Sequence, residues 1–364
     1  MLVSLETIIK DVIIQNQAPI GFDEFMDLAL YQPQYGYYRA GLPKFGETGD
    51  FITAPETSDL FGFCLARQCQ EVLNEQDSIL EFGAGSGVLA AQILFELGRL
   101  EALPHKYYIL ELSGELRQRQ RQTIEQVLPE LIERVEWLDE LPTDFQGVII
   151  ANEVLDAIPA KRLRYQTDGF VELGVDYQDG VLVEQVIDGP ISHPGLPKTA
   201  IDGYTTEINP RALAWVGSLG ALTKQALVLL IDYGMGRQEF FHEQRAEGTL
   251  RCYYRHQASD NPFVNIGKQD ITTSVNFSDV AERAGASGFE ILGYATQAMF
   301  LISLGIEQYL LSETDTDRRA ALAQQIKHLV LPSAMGESFK VLALGKGIEQ
   351  TLSGFKEQDL AHTL

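Results

Sequence analysis

Residues 78–87 read SILEFGAGSG and run directly into VLAAQILFEL at 88–97. A short β-type run leads to Glu81 and Phe82, glycines stand at 83, 85 and 87, and a helical pattern follows. Glycines at alternate positions let a backbone turn sharply at the carboxyl end of a strand and approach a ligand with no Cβ in the way. The turn from Gly83 and Ala84 through Gly85 to Gly87 therefore reads as a ligand cradle. A dinucleotide fingerprint would place its third glycine three residues after the second, at 88, where this chain has Val88. That spacing favours an adenosyl sulfonium over NAD. Glu81, just ahead of the turn, suits a ligand with an amino group and repels a phosphate. An ordinary glycine-rich strand-to-helix turn is the plain alternative for the motif alone.

Outward from the turn, strand and helix patterns alternate. SILEF is followed by a helix to about 98, YYILEL, a helix over 114–127, RVEWL and GVIIAN. Short apolar runs separated by helices indicate a parallel sheet covered on both faces, hence an α/β fold with a Rossmann-like core. At 161 the rhythm changes to polar–apolar alternation around Asp-Gly turns, which reads as an inserted antiparallel β segment. A Pro/Gly-rich stretch at 189–203 and a helix over 211–224 follow, then ALVLLIDYG resumes the buried-strand pattern. FEILGYAT and FKVLALGKG supply two more strands that fit the end of a mixed sheet, with a helical run over 297–328 between them. Residues 1–75 read as a helical N-terminal region with apolar spacing at 5–14 and 60–73. Its middle, 31–58, packs aromatics, glycines and prolines as a loop does when it covers something. The expected division is 1–75, a core of 76–160 with 225–348, and an inserted β-rich subdomain at 161–224.

Composition bounds the function. With 45% hydrophobic and 22% charged residues in 364, the chain is an ordinary globular protein of one large or two smaller domains. The net charge of −23 argues against nucleic acid, whose phosphates need a basic surface. The longest apolar runs are strand-sized, so no membrane insertion is expected. The N-terminus carries Glu6 and Asp11 and lacks a basic leader, which reads as a cytoplasmic protein. Cys64, Cys69 and Cys252 form no CxxC pair and read as reduced core residues; the six histidines form no ligand pairing, so no metal is expected.

Ligands of open α/β sheets bind outside the carboxyl ends of the strands, so strand-end residues are the ones to weigh. Glu111, after the second strand, can accept hydrogen bonds from both hydroxyls of a ribose. Asp139, after the third with Trp137 and Leu138, can border an adenine, or be a solvated loop acid. After the fourth strand, Asn152, Glu153 and Asp156 form a polar cluster. In a helical turn Glu153 and Asp156, three apart, would project to one side and hold a cationic nucleophile; helix-start acids are the bland reading. Asp232 ends the fifth strand as a third carboxylate or a turn residue. Upstream, Gly49 to Glu56 includes Thr53 and Pro55. Thr53 and Glu56 fit a capping box, and Gly-Asp-Phe ahead of it suits a loop folded over a cofactor.

Taken together, GDFITAPETS (49–58), LEFGAGSG (80–87), NEVLDAIP (152–159), EINPRA (207–212), IDYG (231–234), DITTSVNF (270–277) and TQAMFLISLGI (296–306) resemble the MidA family of class I S-adenosylmethionine-dependent methyltransferases, which includes mitochondrial complex I assembly-factor methyltransferases. The resemblance implies a mixed seven-stranded sheet, S-adenosylmethionine as cofactor, and a protein arginine, such as one on a respiratory complex I subunit, as acceptor. Gly114 departs from it where a proline is expected after Ser113. A small-molecule methyltransferase and a cofactor-binding assembly protein without turnover are the rival readings, and the sequence allows a homodimer.

Overall fold

The structure is a computed structural model that describes residues 4–40, 53–167 and 169–364. The chain forms two compact units. The first comprises Met1–Phe51, Leu155–Trp215 and Met235–Val280; the second comprises Ile52–Val154, Val216–Gly234 and Ala281–Leu364.

The second unit carries the seven expected strands, numbered here in chain order: β1 (Ser78–Phe82), β2 (Tyr107–Leu110), β3 (Val135–Leu138), β4 (Phe145–Asn152), β5 (Thr223–Met235), β6 (Glu290–Thr296) and β7 (Phe339–Lys346). They lie side by side in the order β6-β7-β5-β4-β1-β2-β3. Strands β5, β4, β1, β2 and β3 pair in parallel, and β7 runs antiparallel to β5 and β6. All of β1, Val148–Ala151 of β4 and Ala226–Asp232 of β5 are buried, as strands with both faces covered must be. The register matters for function. Phe82 lies opposite both Leu110 and Ala151, and Ile231 opposite Asn152, so four strands end on one edge.

Two helices follow that edge. Helix α1 (Val88–Arg99) buries Leu89, Ala90, Ile93, Leu94 and Leu97 in a core shared with Phe61, Cys64 and Leu65 of the helix Asp59–Gln70. Helix α2 (Gly114–Val127) begins at the Ser113 cap, whose hydroxyl accepts from Leu116 N at 3.4 Å. Gly114 occupies its first position with open space around the place of a Cβ, and Ser113 is already extended (φ −92°, ψ 115°) as a residue before proline must be. Gly114→Pro is therefore expected to stabilise the protein by about 0.5–1 kcal/mol, read from the denaturant midpoint. The 297–328 run is broken into Gln297–Ser303, Ile306–Ser312 and Thr316–Val330, with Gly305 at φ +76° between the first two.

The first unit does not follow the expected partition. The predicted antiparallel segment is there as Lys161–Gln166, Gly169–Gln178 and Val181–Ile191, joined by the unpredicted strand Thr205–Ile208. It is not a separate insertion, however. Ile20–Gly21 pairs with Gly174–Val175, and the helix Phe22–Tyr31 places Phe22, Phe25, Met26 and Leu30 in one core with Val175, Leu250 and Ile271. Apolar burial thus joins N-terminal residues to both later segments.

Among the described residues, no helix is long and apolar enough to cross a membrane, and no three His, Cys, Asp or Glu side chains are grouped to hold a metal ion. The three cysteines are free thiols, and burial pushes each up to about 12. None supplies a thiolate at neutral pH.

Candidate active site

Strand β1 stops where the backbone turns left-handed. Gly83, Gly85 and Gly87 have φ of 60°, 53° and 85°, a region that only glycine enters without strain. Gly83 N donates to Leu110 O of β2 at 3.2 Å, and Gly87 N to Ala84 O at 2.8 Å, closing the turn ahead of α1. Ala84 is buried between them. At Gly87 a Cβ would stand 2.8 Å from Gln120 Cα, so this glycine also sets the approach of α2.

The acids around the turn have different fates. Glu81 is buried and accepts from the Tyr107 hydroxyl at 2.7 Å. Burial pushes its carboxyl up to about 7, against the pull of that hydrogen bond and with help from the charge of Glu111. Glu111 is also buried; it accepts from Ser113 N at 2.8 Å and from Gln120 Nε2 at 3.1 Å. Asp139 is different. Its side chain is 87% exposed and paired with Arg117 at 2.8 Å, while Arg117 also donates to Glu111 O and Leu138 O, both at 2.6 Å. Asp139 thus neutralises the arginine that ties the ends of β2 and β3 together.

The residues Thr53–Asp59 are stitched to the glycine turn, though not as a capping box. Thr53 caps the short helix Ala54–Thr57 without a side-chain hydrogen bond. Glu56 instead accepts from the hydroxyl of Ser86, inside the turn. Gln92 of α1 donates to Pro55 O at 2.9 Å and Asp59 Oδ1 at 3.0 Å. Thr53 and Pro55 are buried in this arrangement. The preceding Gly49, Asp50, Phe51 and Ile52 lie outside the described residues.

At the end of β4 the expected helical turn is absent. Residues 153–160 form bends and turns, and Glu153 takes a left-handed φ of 54°. A non-glycine residue in that region is uncommon and is held there by its surroundings. Glu153 N donates to Ile231 O of β5 at 2.9 Å, Val154 N donates to Asp232 Oδ2 at 3.2 Å, and Tyr233 N donates to Asp232 Oδ1 at 2.8 Å. Asp232, fully buried, therefore shapes the loop through backbone amides. Asn152 Nδ2 donates to Glu153 Oε1 at 3.1 Å, while Asn152 Oδ1 is buried with no hydrogen-bond partner among the described residues. A Cβ at Gly83 would lie 3.5 Å from Val154 Cγ2, so the glycine turn and this loop are in contact.

Asn152, Glu153 and Asp232 are thus brought together beside Gly83, whereas Asp156 falls in the first unit. There its carbonyl accepts from Thr273 N at 3.0 Å, next to Ala157, whose carbonyl accepts from Tyr31 at 3.0 Å. Tyr31 stacks on Tyr38 with centroids 5.5 Å apart, and Tyr38 donates to Asp270 Oδ1 at 3.0 Å. Burial, then the charge of Asp270, holds the Tyr38 phenol well above its ordinary value, so it stays a neutral donor.

The motifs contain Glu56 and Ser86 but gave no hint of the bond between them, and they leave out Gln120. For Gln120 a signal existed, because it stands between Leu116 and Ile124 on the buried stripe of α2, a polar residue at an apolar position.

Comparison with known proteins follows the same lines. Residues 64–295 match the family model Methyltransf_28, described as an S-adenosyl-L-methionine-dependent methyltransferase. The chain is similar to a COG1565 superfamily protein from Burkholderia thailandensis bound to S-adenosyl-homocysteine, at 39% identity and a TM-score of 0.94, covering 99% of this chain and 96% of that one. It is 26% identical to "Protein arginine methyltransferase NDUFAF7, mitochondrial" of Danio rerio, over 90% of this chain and 83% of that protein. Against the protein of the same name from Rattus norvegicus the identity is 28%, over 91% and 82%. Both relatives are named mitochondrial, which overturns the expectation of a cytoplasmic protein.

Proposed function

Because the chain belongs to this family of S-adenosyl-L-methionine-dependent methyltransferases, we propose that it methylates an arginine side chain of a protein, with respiratory complex I subunits as the first acceptors to test. The names of the curated relatives support the acceptor class. The observation that carries the reading is the polar pair Asn152–Glu153, held by Ile231 and Asp232 at the end of β4 and in contact with the glycine turn through Val154.

The residues present fit the cofactor. The left-handed glycines leave the backbone bare, Glu111 offers a fixed carboxylate for two ribose hydroxyls, and Glu81 offers an acid for the amino group. When bound, S-adenosylmethionine supplies an electrophilic methyl group on sulfur. The protein must then place a nucleophile in line, exclude water and deal with its proton. A guanidinium stays protonated at neutral pH, so a carboxylate has to hold it and orient one nitrogen as its charge disperses. Glu153 is suited to this. Its left-handed backbone fixes where the side chain starts, and Asn152 steadies Oε1. The unpartnered Asn152 Oδ1 is a further acceptor for a guanidinium N–H.

Glu81 makes cofactor binding pH-dependent in this reading. Its folded carboxyl is raised from 4.5 to about 7, so its contribution to apo stability is full below 4.5 and is lost as pH rises through about 7. That loss amounts to about 3 kcal/mol. An ammonium beside Glu81 favours the ionised form. S-adenosyl-homocysteine affinity is therefore expected to rise up to about tenfold per pH unit toward pH 7 and then level off, with a proton released only on the rising limb. Calorimetry in two buffers of different ionisation enthalpy reads that proton, and Glu81→Gln should abolish the dependence.

The function is tested by amino-acid analysis of total protein from cells producing the wild-type chain or Glu153→Gln. Methylarginine is expected with the wild type alone. Equal amounts in both would remove Glu153 from the reaction, and methylated small molecules in place of methylarginine would replace the protein acceptor.

A further inference from the structure

Gln120 has no exposed surface, and its amide meets three partners of distinct character. Nε2 donates to Gly85 O at 3.1 Å and to Glu111 Oε2 at 3.1 Å, and Oε1 accepts from the Trp137 indole at 2.9 Å. The two acceptors face the amide nitrogen and the donor faces its oxygen, so chemistry fixes the orientation of the group. The backbone of the same residue meets Gly87, where a Cβ would stand 2.8 Å from Gln120 Cα. One side chain thus joins the middle of the glycine turn, the acid after β2 and the aromatic of β3.

We propose that Gln120 is a positioning residue that sets how strongly the enzyme recognises the ribose of its cofactor. It acts through Glu111, so the inference rests on the reading of Glu111 as the ribose acid. Glu111 Oε1 is held by Ser113 N, and Gln120 holds the other oxygen. Two points fix a carboxylate plane, and a fixed plane is what two adjacent hydroxyls need. The bond to Gly85 O ties that plane to the turn that cradles the rest of the ligand. With Gln120 replaced by methionine the carboxylate keeps its charge and the bond from Ser113 N but loses the bond that holds Oε2. A glutamate at 120 still accepts from Trp137 but sets a second carboxylate against Glu111.

The test compares S-adenosyl-homocysteine with its 2′-deoxyribose analogue by calorimetric titration of the wild type, Glu111→Ala, Gln120→Met and Gln120→Glu. The wild type should prefer the ribose ligand by about tenfold, the scale of one good charge-assisted hydrogen bond. Gln120→Met and Gln120→Glu should weaken S-adenosyl-homocysteine by about that factor while holding the deoxy analogue within about twofold. In Gln120→Glu, retained Trp137 emission in the unliganded protein reports that the indole bond and the local fold survive. A preference kept by Glu111→Ala would overturn the reading of Glu111 itself. A preference lost in Glu111→Ala but intact in both Gln120 variants would overturn the proposal alone. So would equal weakening of the two ligands, which marks general damage to the site.

Discussion

Glu153→Gln is expected to lower methyl transfer at least about a thousandfold while leaving S-adenosyl-homocysteine affinity within about twofold. The substitution keeps size, the left-handed backbone and an acceptor toward Asn152 Nδ2, and it removes only the charge. That charge matters most as a guanidinium nitrogen attacks, because positive charge must be held and a proton then lost. The cofactor side depends on other groups. Gly83, Gly85, Glu81, Glu111 and Gln120 are linked among themselves by hydrogen bonds and chain, without Glu153. Single-turnover rates with calorimetric titration separate the two effects. Loss of both rate and affinity would show that Glu153 holds the loop, as Asp232 does, and takes no part in transfer.

Gly85→Val should have the opposite signature, with cofactor affinity lost by at least about a hundredfold and the fold retained. Gly85 stands at φ 53°, which a β-branched residue enters only as an outlier costing about 1–3 kcal/mol. Relaxing that strain would rotate the Gly85 carbonyl away from Gln120, and a branched side chain would be added to the backbone that we propose cradles the cofactor. Gly87→Val differs. Its Cβ would press on Gln120 Cα, so it should lower the thermal midpoint as well as binding. If Gly85→Val and Glu153→Gln lost cofactor binding equally, the division of roles between turn and loop would be wrong.

The parts of this molecule that could be read from sequence are those with one dominant physical cause. Strands β4 and β5 carry uninterrupted apolar runs, and β1 one broken only by Glu81, because both faces of the sheet are covered, and these are visible as VIIA, ALVLLI and ILEF. The glycine turn was legible for a similar reason, since three left-handed residues so close together demand glycine. What escaped depends on partners distant in the chain. Ile20–Gly21 is a two-residue strand with no period of its own, and its pairing with Gly174–Val175, with the core that Phe22, Phe25 and Met26 share with Val175 and Leu250, joins the N-terminal helices to residues after 154.

Site residues followed the same rule. The place of Glu111 after a strand could be read, though not its burial, and the exposure of Asp139 could not, because the strand-end argument does not say which way a loop acid turns. Glu56 has capping-box spacing from Thr53, and tertiary contact with Ser86 overrides it. Glu153 and Asp156 have helical spacing, and the hydrogen bond from Glu153 N to Ile231 O sets a bend in its place. In α2 the alternation of Arg and Gln over 117–122 hides Gln120 among look-alikes, and only the stripe of Leu116 and Ile124 marks it.

The most direct measurement is incubation of the purified protein with methyl-labelled S-adenosylmethionine and the separated subunits of respiratory complex I, followed by mass spectrometry of the labelled fractions. The account predicts a methyl group on an arginine side-chain nitrogen of one subunit, transferred by the wild type and not by Glu153→Gln. Label confined to small molecules, or a cofactor that binds and is never consumed with the subunits present, would contradict it.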